Sequence, residues 1–194
     1  MIDSRCRDYI QPTFDKLGRG MISLGLKANT LTCLAFFVGL LSAFAIGMGQ
    51  AIWAIVFLWL SGLLDVLDGT VARLTSTSSL GGAYMDLIFD RMVEAAVILG
   101  FLYVQPVYHV AYIVFLIAVI FNFTTFMVAA SLFKNTGLKS MHYDVGLAER
   151  TETFIVFTAM ILFQDQIGMI LMTFNAVIFI TGLIRFGKVL QHSL

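Results

Sequence analysis

The chain has 194 residues, of which 59% are hydrophobic and only 12% are charged, and its formal net charge is zero. Its mean hydropathy is +0.91. Because a soluble domain of this size carries about 25% charged residues, this composition excludes an ordinary soluble domain and predicts an all-α integral membrane protein.

The N-terminal segment, residues 3–24, is mixed rather than apolar. Its apolar side chains recur at steps of three and four residues, at Cys6, Ile10, Phe14, Leu17, Met21 and Leu24. This pattern predicts an amphipathic helix in the membrane interface, with a cap helix that packs on its own protein as the alternative. We therefore divide the chain into a juxtamembrane segment, residues 1–28, and a six-helix transmembrane domain, residues 29–194.

Six apolar stretches follow, and each is near the ~20 residues that cross ~30 Å of hydrocarbon. We place the spans at residues 29–48, 51–73, 81–104, 107–133, 149–163 and 167–190. The turns on one side of these spans contain no Lys or Arg, whereas the opposite side, with both termini, is basic. Since basic loops stay in the cytoplasm, we expect a multi-pass protein of the inner (cytoplasmic) membrane with both termini cytoplasmic.

Four aspartates stand in one stretch of this apolar chain, at the cytoplasmic ends of the second and third spans. Asp65 and Asp68 are three residues apart and Asp86 and Asp90 are four apart, so each pair shares one face of a helix. A charge in a bilayer is costly unless it is paired, solvated or bound to a cation. Carboxylates suit Mg²⁺ or Mn²⁺, so the sequence predicts one or two metal ions between two antiparallel neighbouring helices.

Glycines and a basic residue accompany these aspartates. Gly69, Gly81 and Gly82 remove side chains where a ligand must come close, and Arg73 can meet a phosphate. Together these features favour a phosphoryl-transfer site that opens towards the cytoplasm. The alternatives are structural aspartates and a divalent-cation carrier, but a carrier leaves Arg73 and the glycines without a role.

The complete pattern is D-x-x-D-G-x-x-A-R, then eight residues, then G-x-x-x-D-x-x-x-D. It is met at Asp65, Asp68, Gly69, Ala72, Arg73, Gly82, Asp86 and Asp90. This pattern resembles the signature of the CDP-alcohol phosphotransferases, integral membrane enzymes of phospholipid synthesis. The length, the six spans and the preceding amphipathic helix are also similar to that family.

The resemblance implies a metal-dependent phosphotransferase. It would transfer a phosphatidyl group from a CDP-lipid to an alcohol hydroxyl and release CMP. The first candidate for the CDP-lipid is CDP-diacylglycerol. It implies that Asp65, Asp68, Asp86 and Asp90 hold a pair of Mg²⁺ or Mn²⁺ ions, and that Asp90 also takes the hydroxyl proton. The implied nucleotide and donor pocket consists of Asp68, Gly69, Ala72, Arg73 and Gly82.

The start of the first span also resembles the family, whose P-N-x-hydrophobic-T segment lies near the nucleotide. Here Ala28 replaces the proline, and Asn29 and Thr32 match. The resemblance implies a nucleotide role for Asn29 and Thr32. The alternative is that Asn29 only caps the helix N-terminus.

Three further basic residues, Lys134, Arg150 and Arg185, are predicted near the cytoplasmic membrane surface. They resemble the basic trio of family members that use a phosphorylated alcohol, and Arg clusters suit phosphate dianions. We therefore expect inositol phosphate or glycerol phosphate as acceptor, with an unphosphorylated acceptor such as serine or inositol as the alternative. Lys134 and Arg150 can also anchor to lipid headgroups, and Arg185 can be paired for structural reasons.

A prenyltransferase with two Asp-rich metal motifs is the rival enzyme class, but such proteins have about nine spans and lack the D-G-x-x-A-R string. The resemblance also implies a homodimer. We expect Gly39, Gly47 and Gly100 to permit close helix packing. We expect no nucleic-acid partner.

Overall fold

The computed structural model describes residues 2–133 and 150–193, with side chains for residues 11–131 and 150–191. This part of the chain is helical and has no strand. Its α-helices are α1 (Ile2–Ser23), α2 (Ala28–Gly47), α3 (Ala51–Leu74), α4 (Leu80–Val104), α5 (His109–Phe133), α6 (Arg150–Leu162) and α7 (Ile167–Ser193). Short 3-10 helices, Pro106–Tyr108 and Gln164–Gln166, precede α5 and α7.

The helix bounds agree with the predicted spans to within about three residues, and the all-helical membrane fold is confirmed. Among the residues that the structure describes, four stretches are long and apolar enough to cross a membrane: Ala28–Gly47, Ala51–Leu74, Pro106–Ser131 and Gln164–Gln191. By contrast, α4 carries Asp86, Asp90, Arg91 and Glu94, and α6 has only 13 described residues. The multi-pass topology therefore stands, whereas the count of six spans stays a prediction.

The described chain divides into two compact units, and the first is Ser4–Val107. In this unit α2 packs against both α3 and α4. A Cβ atom at Gly39 would lie 2.7 Å from the methyl groups of Val93, and one at Gly100 would lie 2.5 Å from the carbonyl oxygen of Ala43. These two glycines therefore bring the backbones of α2 and α4 together, and α2 is the shared neighbour of the two helices that carry the aspartates.

Helix α1 packs on the end of α3 that carries the signature. The buried side chains of Leu31, Leu67 and Val71 form a small core. Side chains of α1 that pack against this core include Phe14, Met21 and Ile22. Part of the apolar side of α1 thus contacts its own protein, as the cap-helix alternative predicted, and its place in the membrane interface stays a prediction.

The second unit comprises α5, α6 and α7, with α7 packed against both α5 and α6. The buried Asn175 side-chain amide donates a hydrogen bond to the carbonyl oxygen of Ala111, at 3.0 Å. A Cβ atom at Gly182 would lie 2.7 Å from the ring of Phe121. Since both contacts join α5 to α7, these two helices form one closely packed pair.

Candidate active site

Three of the predicted aspartates come together where α3 ends and α4 begins. Asp65, Asp68 and Asp86 each contribute a carboxylate oxygen, and these oxygens all lie within 4.8 Å of one another. Asp68 is 7% exposed, and Asp65 and Asp86 are half-buried. The residues between the helices, 75–79, form a short polar turn, so the acidic ends of both helices must lie near each other.

The three carboxylates, which we call the Asp triad, fit a divalent cation. Oxygen ligands lie about 2.0 to 2.6 Å from Mg²⁺ or Ca²⁺, so ligands around one ion are about 4 to 5 Å apart at most. Within the described part of the chain, the buried Oδ1 atom of Asp86 accepts no hydrogen bond. Three carboxylates this close repel one another, and a bound cation both removes that repulsion and gives the buried oxygen a partner.

Asp90 lies one turn beyond Asp86 in α4 and is not a member of the Asp triad. It is still near enough to Asp86 for the two carboxylates to interact electrostatically. The predicted set of four aspartates thus consists of three that meet directly and one neighbour. This difference in position agrees with different roles for the Asp triad and Asp90.

Gly82 and Asn29, which are predicted to bind the CDP-lipid donor, lie side by side. A Cβ atom at Gly82 would be 3.1 Å from Oδ1 of Asn29 and 3.2 Å from Oγ of Ser79. Ser79 caps α4, since its hydroxyl accepts a hydrogen bond from the Gly82 N–H at 3.0 Å. The absent side chain at Gly82 therefore lets Asn29 come close against the first turn of α4.

Asn29 does not cap α2, so the capping alternative is wrong. The helix begins at Ala28, its N-cap residue is Lys27, and no side chain makes a capping hydrogen bond there. The side chain of Asn29 instead reaches towards α4. Thr32 behaves differently, because it is buried and its hydroxyl donates to the carbonyl oxygen of Ala28 at 3.1 Å.

Arg73 folds back along α3 towards the Asp triad. Its Nη2 atom donates to Oγ1 of Thr70 at 3.0 Å, and its Nη1 atom is 3.4 Å from the position of a Cβ atom at Gly69. Gly69 directly follows Asp68, and Ala72 beside Arg73 is half-buried. The guanidinium group is therefore held next to bare backbone, where it can meet a phosphate.

Three residues are predicted to bind the acceptor alcohol. Arg150 and Arg185 belong to the second unit, and Lys134 lies outside the described residues. Nη1 of Arg185 donates to Oδ1 of Asn122 at 2.9 Å and to the carbonyl oxygen of Asn122 at 3.1 Å. The Arg185 guanidinium also lies 5.3 Å from the ring centroid of Phe126. Arg150, the first residue of α6, lies 5.4 Å from the ring centroid of Phe154.

Sequence reasoning missed three residues that hold the predicted ones in place: Thr70, Ser79 and Asn122. A signal existed for each. Thr70 is three residues before Arg73, which is helical contact spacing. Ser79 precedes the first helical residue of α4, and Asn122 is an isolated amide in the apolar run of α5.

Comparison with known families matches residues 26–181 to the family described as CDP-alcohol phosphatidyltransferase. An archaetidylinositol phosphate synthase of Pyrococcus horikoshii is 31% identical over 97 residues, which are 50% of this chain and 52% of that protein. The aligned part thus spans about half of that relative. The inner membrane protein YnjF of Escherichia coli is 30% identical over 193 residues, which are 95% of this chain and 93% of that protein.

The fold is similar to that of phosphatidylinositol phosphate synthase from Mycobacterium tuberculosis, solved with CDP-DAG bound. The TM-score is 0.76 at 22% identity, and the likeness covers 91% of this chain and 92% of that chain. The same enzyme was solved in complex with manganese and citrate. At this identity the likeness establishes the fold.

The family match covers well over half of the chain, and the Escherichia coli relative is matched over nearly its whole length. The chain therefore belongs to the CDP-alcohol phosphatidyltransferase family, and the predictions of a phosphotransferase enzyme and of Mg²⁺ or Mn²⁺ as its cofactor are confirmed at the level of the family.

Proposed function

We propose that this protein transfers a phosphatidyl-type group from a CDP-lipid, first of all CDP-diacylglycerol, to the hydroxyl of a small phosphorylated alcohol. The hydroxyl oxygen attacks the lipid-side phosphorus, the bond from that phosphorus to the bridging oxygen breaks, and CMP leaves. The observation that carries this proposal is the Asp triad, formed by a family signature at the meeting ends of α3 and α4.

In this proposal Asp65, Asp68 and Asp86 hold divalent cations, and Asp90 is a further metal ligand. Bound there, the cations neutralise the diphosphate and stabilise the charge that develops on CMP as it leaves. Asp90 takes the proton of the attacking hydroxyl, a role supported by its place beside the Asp triad but outside it. The number of ions, two in our prediction, remains part of the proposal.

The cytidine and diphosphate of the donor bind where glycines expose the backbone. Gly69 and Gly82 supply backbone that carries no side chain, and Arg73 supplies the positive charge for a phosphate. Asn29 contributes its amide beside Gly82. Ala72 and Thr32 complete the donor set in a lesser role, because the Thr32 hydroxyl is already bonded to its own helix.

Inositol phosphate is the acceptor that we propose first, and glycerol phosphate is the second. The residues that bind the phosphate of the acceptor are Lys134, Arg150 and Arg185. Support comes from relatives named as archaetidylinositol phosphate and phosphatidylinositol phosphate synthases. Asn122 and Phe126 contact the Arg185 guanidinium, which favours one fixed orientation of its remaining N–H donors.

The setting of the reaction is also a proposal. We infer six spans in the inner membrane, with both termini and the active site on the cytoplasmic side, because the basic residues concentrate there. Residues 29–194 would form the catalytic domain and residues 1–28 the juxtamembrane segment. A homodimer, as the family resemblance implies, completes the proposal.

Release of CMP from CDP-diacylglycerol by the purified protein tests the function, with glycerol phosphate, inositol phosphate, inositol and serine offered as acceptors. We expect release that requires Mg²⁺ or Mn²⁺, is fastest with inositol phosphate and is lost in Asp90→Asn. The control Asp165→Asn changes an exposed aspartate of the second unit and should retain full rate. Fastest release with serine or inositol would support an unphosphorylated acceptor. Metal binding without CMP release would support a cation carrier.

A further inference from the structure

Thr70 is the residue through which α3 fixes the direction of Arg73. Its side chain is fully buried, and its hydroxyl donates to the carbonyl oxygen of Val66 at 2.9 Å. The same hydroxyl oxygen accepts from Nη2 of Arg73 at 3.0 Å. A hydroxyl has one proton and two lone pairs, so both bonds form together with the correct polarity. Because the hydroxyl proton points to the Val66 carbonyl oxygen, a lone pair of the hydroxyl oxygen is directed to Nη2 of Arg73.

The methyl group of Thr70 is held from the other side by α1. A Cβ atom at Gly18 would lie 2.9 Å from Cγ2 of Thr70 and 3.3 Å from Cδ1 of Leu74. Gly18 is buried, whereas Gly20 in the same helix has no atom within 4 Å of a Cβ position. The missing side chain at Gly18 therefore lets α1 come against Thr70 and restrict its rotamer.

Arg73 is exposed, and a long exposed side chain ordinarily samples many rotamers. Here one terminal nitrogen is bonded to Thr70 while the other lies beside Gly69, next to Asp68 of the Asp triad. The guanidinium is thus ordered before any ligand arrives. Preorganisation of this kind improves affinity because less freedom is lost on binding.

We propose that Thr70 is a positioning residue that aims Arg73 at the diphosphate of the CDP-lipid, and that α1 holds Thr70 in place through Gly18. This inference rests on the proposed function, since it concerns the donor of that reaction. It gives α1 a part in donor binding in addition to its predicted place in the membrane interface.

Thr70→Val, which keeps the shape and removes the hydroxyl, tests the hydrogen bond. Because Arg73 is exposed to water, we take this bond at the strength of a neutral hydrogen bond, whose loss weakens an interaction by about 2- to 12-fold. We expect that factor in the donor KM and in donor Kd. The acceptor KM and the thermal stability should stay near wild type. Thr70→Ser keeps the hydroxyl and should keep donor affinity. Donor Kd is measured by titrating CDP-diacylglycerol into the protein in nanodiscs with Mg²⁺ and no acceptor.

A double-variant cycle separates positioning from a general structural effect. In an Arg73→Ala background, Thr70→Val should weaken donor binding no further, because its target is gone. A full additional loss would overturn the inference. Donor affinity unchanged by Thr70→Val alone would also overturn it. If the wild type binds the donor but releases no CMP, the proposed function fails, whereas the comparison of donor affinities still decides the role of Thr70.

Gly18→Ala tests the contribution of α1. The new Cβ atom displaces the Thr70 methyl group, so we expect a similar loss of donor affinity, whereas Gly20→Ala should have none. Adding Thr70→Ser to Gly18→Ala removes the crowded methyl group and should restore donor affinity. Failure of that restoration, with the double variant still folded, would remove α1 from the proposal.

Discussion

Replacement of Asp86 by asparagine should stabilise the metal-free protein and abolish its response to metal. At 4.8 Å and an effective dielectric constant of about 20, two full charges repel by about 3.5 kcal/mol. Asp86 takes part in two such pairs, with Asp65 and Asp68. Because Asp86 is half-buried, water reduces the repulsion. We therefore expect a net gain of about 1 to 3 kcal/mol without metal.

The assay is thermal unfolding in detergent, with EDTA and with Mn²⁺. For a chain of this size 1 kcal/mol shifts Tm by about 2 to 4 °C, so Asp86→Asn should unfold about 2 to 12 °C higher than wild type in EDTA. Metal at 100 times its Kd stabilises wild type by about 2.7 kcal/mol, or about 5 to 11 °C, and this shift should vanish in the variant. Asp165→Asn should change neither value. A lower Tm in EDTA together with an unchanged Mn²⁺ shift would show that the Asp triad is not a metal site.

The other predictions concern the second unit and helix packing. Arg185→Ala should raise the KM of the phosphorylated acceptor more than that of the donor; an equal rise in both would contradict a phosphate-binding role. Asn122→Ala should raise the acceptor KM by about 10-fold or more, since a hydrogen bond to a charged group contributes about 1.5 to 3 kcal/mol. Gly100→Ala places a Cβ atom 2.5 Å from the Ala43 carbonyl oxygen, so we expect a loss of about 1 to 3 kcal/mol in thermal unfolding. Gly187→Ala, which meets nothing within 4 Å, should be neutral or slightly stabilising.

Helix positions were predictable because apolar run length and polar turns are local properties. The turn at 75–79 and the break at Pro106 gave helix ends close to those of α3 and α4. The membrane-span count was harder, since α4 is both a helix of spanning length and the carrier of four charged residues. The length of α4 indicates a membrane span, whereas its charged residues indicate a helix that is not fully in hydrocarbon.

The Asp triad was also predictable, because residue spacing within a helix fixes which side chains share a face. The hydrogen-bond partners of Arg73 and Arg185 were not predictable, since a long side chain can reach several partners from one Cα position. Arg185 illustrates this. Its Nη1 atom donates to Asn122, a residue 63 positions away that no short-range spacing could have indicated.

The packing of α3 and α4 on α2 explains how an acidic site can stay open inside an apolar protein. Two helices in direct contact along their length would close over the carboxylates and leave no space for a phosphate. Here α2 contacts both helices, with Gly39 and Gly100 setting its distance to α4 and the Ser61 hydroxyl donating to the Ala35 carbonyl oxygen at 2.7 Å. The apolar contacts of α3 and α4 are thus made with α2, and the ends of α3 and α4 carry the aspartates. Substitutions at this α2 surface should therefore change the spacing of the Asp triad, and with it metal affinity, without touching an aspartate.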